Sequence, residues 1–418
     1  GGMAGVAAGY ELARRGTSVA ILEKGLVAGE QSSRNWGWCR QQNRDRRELP
    51  LAQLAMRIWA DLNAEIGEET GFRRSGLAYA SNNPADIASW EKWGQIAREF
   101  GVDTRMLTGA EAAALLPGNS RNWLGGVHSP TDGRAEPQLA VPALARAAQR
   151  AGAVIVQNCA VRAFETEAGH LSGVVTEHGP IRCSAVLVAG GAWSGMLLRH
   201  HGVRFLQASV KSTCFYTEAA AAVTEGGISM QNIALRRRLD GGYTVGLSGQ
   251  GQLQIAPWGL MQAKAFWPTF QARRKGLTFA IGRQFFEGPE ALSHWRADSV
   301  SPFERIRVLD PAPDRRLIDK GLERLRNIYP QLAGLKVAQA WGGMVDSTPD
   351  AIPVIAPVKA QPGLFIASGF SGHGFGIGPA AGRLAADLIR GDAPCVDPTP
   401  YRYERMIDGT DLGKPGML

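Results

Sequence analysis

The residues best suited to chemistry come first in the chain. Gly2 and Gly5 of Gly1-Gly2-Met3-Ala4-Gly5 read as the second and third glycines of a G-x-G-x-x-G turn, with the first glycine just ahead of this sequence. Gly2 lets backbone approach a pyrophosphate, Gly5 lets a helix pack on a sheet, and the helix N-terminus offers N–H groups and a positive dipole end. Glu23 follows Gly5 at the spacing of a ribose-binding carboxylate, which accepts from hydroxyls and disfavours a 2′-phosphate. Ala28 to Trp38 adds small, hydroxyl and glycine residues: Glu30, Gln31, Ser32, Ser33, Arg34, Asn35, Trp36, Gly37 and Trp38. Such a loop can follow a pyrophosphate and then wall a ligand with its tryptophans. A second glycine-rich stretch, Gly369 to Pro379, stands between an apolar strand and a helix and points another helix N-terminus at the same ligand.

These residues need particular elements behind them. Ala7, Ala8, Leu12 and Ala13 make a small-residue helix face, Gly16 ends that helix, and Ser18 to Leu22 is a short apolar strand. A parallel sheet of this kind has a strand before its first glycine turn, so one is expected ahead of Gly1. Helical periodicity runs over residues 50–70 and from Glu136 to Arg150, and 84–115 reads as helical cover. Strands are expected at 76–80, 153–156, 161–165 and 173–177. Ala185 to Gly191 is apolar on both faces, as a central parallel strand should be, and ends in glycines where an open α/β sheet meets its ligand. Ile228 to Leu235 and Tyr243 to Leu247 read as a hairpin about Asp240-Gly241-Gly242. Residues 254–295 mix Trp258, Phe266, Trp267, Phe279 and Phe286 with Lys264, Arg273, Arg274 and Arg283, a composition suited to an anionic membrane surface, a pocket roof or domain packing.

At 418 residues the chain is long for one core, which favours two domains. The formal charge of +8 comes with no zinc-finger spacing, basic heptad helix or RNA-binding aromatic motif, so nucleic acid is not an expected partner. Five cysteines without C-x-x-C spacing argue against a disulfide framework or a metal site. No apolar run is long enough to span a membrane.

With both glycine turns, Glu23, the strand before Gly191 and the intervening hairpin, the chain resembles the FAD-dependent D-amino-acid oxidase-like superfamily. The resemblance extends over essentially the whole chain. It is strongest toward the bacterial L-amino-acid deaminase branch, through Glu23-Lys24-Gly25, Ala28 to Arg34, Val174 to Glu177, Ala189 to Ser194 and Ser299 to Glu304. It implies an α/β fold: an FAD-binding doubly wound, Rossmann-like domain (1–75, 130–205 and 336–418) and an antiparallel-sheet α+β substrate domain (76–129 and 206–335, with the 254–295 insertion). The ADP half of FAD is expected on Gly1, Gly2, Met3, Ala4, Gly5, Glu23, Lys24, Val161, Ala189, Gly190, Gly191 and Trp193. The flavin ring is expected between Ser33 to Trp38 and Gly372, His373, Gly374, Phe375, Gly376 and Ile377, beside Gly343. Arg236 matches the arginine that holds a substrate carboxylate in the deaminase branch. His373 falls where that branch has an aromatic residue, and Trp38 replaces a polar one. The implied reaction is oxidation of an α-amino acid, expected to be an L-amino acid, by hydride transfer to the flavin, giving a 2-oxo acid and ammonia. Oxygen or a quinone would take the electrons. A secondary or D-amino acid substrate and a non-catalytic flavin subunit stay open. The expected location is cytoplasmic, peripheral to the inner membrane if 254–295 lies on lipid.

Overall fold

The computed structural model describes residues 1–413. Its first helix, Met3–Arg14, starts from an extended Gly2 and buries Met3, Ala4, Val6, Ala7, Ala8 and Leu12. Those small residues let Gly378–Arg390 cross it at close range. A Cβ on Gly382 would lie 2.4 Å from the Ala7 Cβ, and one on Gly378 2.2 Å from the Met3 Cγ. Helix Pro137–Arg150 packs on the same helix, and the three share one alanine-rich core with Leu49–Ile66. Strand Ala20–Leu22 pairs in parallel with Val154–Val156, and Val186–Val188 with Leu364–Ser368. Both glycine turns line one cavity. An antiparallel excursion of Val161–Glu167, His170–Thr176 and Gly179–Arg182 hangs from this layer.

The second layer is a ten-stranded sheet in the order 277–280, 251–254, 208–217, 243–247, 233–237, 227–230, 77–81, 125–129 and 105–108, with 337–347 on 208–217. Its only parallel steps among the described residues are 227–230 on 77–81 and 251–254 on 277–280. Helix Arg315–Ile328 covers one face, seating Leu325 and Ile328 with Phe215, Tyr243 and Val245. The doubly wound layer and the antiparallel layer meet along the Trp36–Trp38 loop and the second glycine turn.

Two local expectations change. Ile228 to Leu235 is two strands, because Gln231 and Asn232 both take positive φ (46° and 65°) and fold the chain into a tight hairpin turn. Residues 84–115 hold a strand, Arg105–Thr108, between helices Pro84–Glu99 and Gly109–Leu115, where Thr108 and Glu111 form a capping box. The strand from Val337 runs to Ser347 within the large sheet, paired with 208–217. In 254–295, Trp267, Phe279 and Phe286 are more than half exposed, while Trp295 is buried against Trp193 and Phe303. Among the described residues, no helix is long and apolar enough to cross a membrane.

Candidate active site

The two layers enclose a cavity of about 2100 Å³ that starts at the first glycine turn. There the Met3 N–H donates to the Ser32 Oγ (2.8 Å). A Cβ on Gly2 would stand 3.0 Å from that oxygen, and one on Gly5 3.2 Å from the Ala189 Cβ. Glu23 closes the first strand and accepts from the Gly25 N–H (2.8 Å). Lys24 reaches Glu30 (2.7 Å) and lies 4.5 Å over the Trp193 ring, whose Nε1 also donates to Glu30 (3.1 Å). Arg34 binds the carbonyls of Gly29, Leu309 and Gly342, lacing this wall to the large sheet.

The other end is shaped by Asn35. Its side chain donates to the carbonyls of Gln31 and Ser32 and accepts from the Gly37 N–H (2.8 Å), turning Trp36 and Trp38 toward the large sheet. The two indoles meet edge to face at 5.1 Å, and Trp38, Tyr79 and Trp90 continue as an aromatic wall. Arg236 stands behind this loop. It is 1% exposed, pairs with Glu136 (2.8 Å), and donates to the Trp36 carbonyl (2.6 Å) and the Thr244 Oγ1 (2.9 Å). It is not on the cavity lining, so the expectation of a substrate clamp there meets a guanidinium already occupied as a prop.

Beside the aromatic wall, Arg40 and Arg44 are on the lining. Arg40 donates to the Tyr79 Oη (3.0 Å) and to the Gln42 carbonyl. Arg44 is 3% exposed, and its Nε and Nη1 have no hydrogen-bond partner. Burial, and then the charge of Arg40, push the Arg44 guanidinium down to about 9. Beside it, His373 faces Glu48, with Nδ1 3.2 Å from Oε2 and Glu48 wholly buried. Burial, followed by Arg44, pushes this imidazole down to about 4, which leaves it neutral at neutral pH. Against a carboxylate oxygen, Nδ1 is the donor.

Residues 1–388 match the FAD dependent oxidoreductase family, DAO. The chain belongs to this family. A sarcosine oxidase beta subunit of Arthrobacter is 24% identical over all of this chain and 92% of its own length. Glycine oxidase of Geobacillus kaustophilus is 25% identical over 97% of the chain and 96% of its own. Among solved structures, an L-amino acid deaminase of Proteus myxofaciens in complex with anthranilate superposes with a TM-score of 0.92, at 31% identity over 97% of this chain and 92% of that one. The L-amino acid deaminase of Proteus vulgaris gives 0.90 at 29%, over 96% and 94%.

FAD is the cofactor of this oxidoreductase family, and the residues present fit it. The turn is tight at Gly2 and Gly5, where a Cβ would crowd Ser32 and Ala189, and the helix behind it presents N–H groups to an anion. Of the residues expected at the cofactor, Gly1 to Gly5, Glu23, Lys24, Glu30 to Ser32, Arg34 to Gly37, Val161, Ala189 to Gly191, Trp193, Gly343 and Gly372 to Gly376 all line the cavity. Ser33 and Ile377 do not: the Ser33 hydroxyl turns back to the Glu30 carbonyl, and Ile377 is fully buried in the helix core. Of the three residues expected at the substrate, Trp38 and His373 line the cavity and Arg236 does not. Reading the sequence missed Arg40, Arg44, Glu48, Tyr79 and Trp90. The available signal was the unbroken polar run Arg40-Gln41-Gln42-Asn43-Arg44 immediately after Trp36-Gly37-Trp38.

Proposed function

We propose that this FAD-dependent oxidoreductase deaminates an α-amino acid of the L series to its 2-oxo acid and ammonia. The observation that carries the reading is Arg44. A buried cation with unpartnered donors is costly, and a carboxylate entering the cavity offers it a planar, two-oxygen partner. The resemblance in shape to L-amino acid deaminases, one of them holding the carboxylate anthranilate, supports the same choice. Bound FAD supplies the acceptor for the hydride from the substrate Cα. The chain's own part is to hold and to shield. Arg44, with Arg40 beside it, pairs the carboxylate. Trp38, Tyr79 and Trp90 wall the side chain and keep water away, and Arg236 with Glu136 keeps the Trp36–Trp38 loop in place. The imine that leaves is hydrolysed by water.

The sarcosine oxidase relative favours a second reading, oxidation of a secondary amine. An anaerobic visible spectrum recorded before and after adding L-, D- and N-alkyl amino acids separates the two. Bleaching of the flavin band by L-amino acids alone is the expected result, and bleaching by N-alkyl amino acids alone overturns the deamination reading. Admitting air then distinguishes oxygen from a quinone as acceptor. The exposed Trp267, Phe279 and Phe286 near Arg274, Lys275 and Arg283 support peripheral contact with an anionic lipid surface, which flotation with anionic against neutral vesicles tests.

A further inference from the structure

We propose that Glu48 and His373 form a proton-accepting pair at the cavity wall, in which Glu48 holds the imidazole and the His373 Nε2 takes one proton from the ammonium group of the bound amino acid. The inference rests on the amino-acid reading above.

An amino acid reaches the site mostly as an ammonium ion. In that form its nitrogen has no lone pair to stabilise positive charge developing at Cα, so one N–H bond must break before hydride can leave. In the proposed step that proton forms an Nε2–H bond. The imidazole becomes imidazolium, and the nitrogen regains its lone pair. With FAD bound, the flavin would supply the acceptor for the Cα hydride as the C=N bond forms. Water converts the iminium to the 2-oxo acid and ammonium, and the imidazolium returns its proton to solvent.

The geometry suits this role. Ser371 and Gly372 take positive φ (53° and 86°), and the His373 N–H closes on the Phe370 carbonyl (2.8 Å), so the ring is set by a tight turn on the cavity wall. Glu48 stands at the start of helix Leu49–Ile66, and its carboxylate has no hydrogen-bond partner other than His373 among the described residues. A buried carboxylate spent on one ring nitrogen fixes tautomer and orientation and stabilises the imidazolium once formed. The His373 Nε2 has no protein hydrogen bond among the described residues. The charged groups around the ring are Glu48, Arg44, Arg40 and Asp45. Of these, Arg44 and Arg40 hold the ring neutral. A substrate carboxylate that pairs with Arg44 offsets that charge, so the ring gains basicity when the ammonium arrives.

The test uses the full FAD-loaded chain and anaerobic stopped-flow reduction of the flavin by its best amino acid, followed from about pH 6 to about pH 10. In the wild type the rate should level off well below the amine's own pKa. In His373→Gln it should be down about 10²–10³-fold at neutral pH, climb about tenfold per pH unit and meet the wild type near the amine pKa. Glu48→Gln keeps an acceptor for Nδ1 but removes the charge. It should move the acid limb the same way, and it carries the test if His373→Gln does not fold. A readout apart from turnover is the ¹⁵N spectrum of histidine-labelled protein with a 2-methyl amino acid, which has no Cα–H to lose. The His373 signal should change from neutral to doubly protonated on binding. Variants with wild-type pH profiles, or a ring that stays neutral in that complex, overturn the pair alone. Failure of every amino acid to reduce the wild type overturns the amino-acid reading and the pair with it.

Discussion

Replacing Arg44 with Met should make the unliganded protein more stable while nearly disabling it. The guanidinium is 3% exposed, its Nε and Nη1 donate to nothing, and burial pushes it down to about 9. At about 1.4 kcal/mol per decade, the drop from its ordinary value amounts to a burden on the order of 5 kcal/mol. Because the folded pKa is depressed, this burden is fully present below about pH 9 and fades only as pH rises toward the unfolded value. Exchanging buried charge for an apolar side chain of similar length typically recovers about 1–4 kcal/mol, since packing is never ideal. With an unfolding entropy of about 2 cal/mol/K per residue, that gain should raise Tm by about 1–5 °C at a fixed scan rate. The lost carboxylate pair should cost about 2–5 kcal/mol in substrate binding, or about a 30- to 4,000-fold weaker apparent affinity. Differential scanning fluorimetry and anaerobic flavin reduction read the two effects on the same preparation. A lower Tm together with unchanged substrate affinity would refute the reasoning, because it would mean that Arg44 has a structural partner and no ligand.

Arg236→Ala should behave in the opposite way. It leaves Glu136 buried without its partner and the Trp36 carbonyl without its donor, so a loss of about 3–5 kcal/mol and a lower Tm are expected. Wild-type stability with only a raised KM would instead restore Arg236 as the clamp. Gly382→Ala drives a Cβ to 2.4 Å from the Ala7 Cβ and 2.5 Å from the Ala8 N. It should cost about 1–3 kcal/mol, displace helix Met3–Arg14 and lower the flavin-to-protein ratio measured after gel filtration. Burial pushes Asp346, which accepts from the Gly369 N–H beneath the second glycine turn, up to about 6. Its proton-linked stability is therefore present below about pH 4 and is lost as pH rises through about 6. Asp346→Asn should flatten the fall in Tm between about pH 4 and pH 6, and an unchanged slope would assign that fall to other groups.

The cofactor end of the site was legible because its constraints are local. A glycine at position 2 or 5 is required by backbone approach and by helix–strand contact within one turn, whatever the rest of the chain does. Asn35 likewise shapes the Trp36–Trp38 loop through partners within four residues. The substrate end was only partly legible. Trp38 and His373 sit in motifs that announce themselves, whereas Arg44 and Glu48 look like members of a solvated charged run. The turn at Gln231-Asn232 was hidden for a related reason, because apolar residues on both sides read as one continuous strand.

The amino-acid sequence alone determined the glycine turns, the acid that ends the first strand, the alanine face on which two helices cross at close range and, through these, the dinucleotide-binding layer. Each depends on steric limits among residues close in the chain or on the absence of a side chain. Only the tertiary structure decided which arginines near the Trp36–Trp38 loop line the cavity. Arg236 finds Glu136, Thr244 and the Trp36 carbonyl and is consumed by them, whereas Arg44 lines the cavity with its Nε and Nη1 unpartnered. A guanidinium's role is set by which oxygens lie within about 3 Å of it, and when those oxygens come from strands and loops as many as 200 residues away, only the folded chain brings them there.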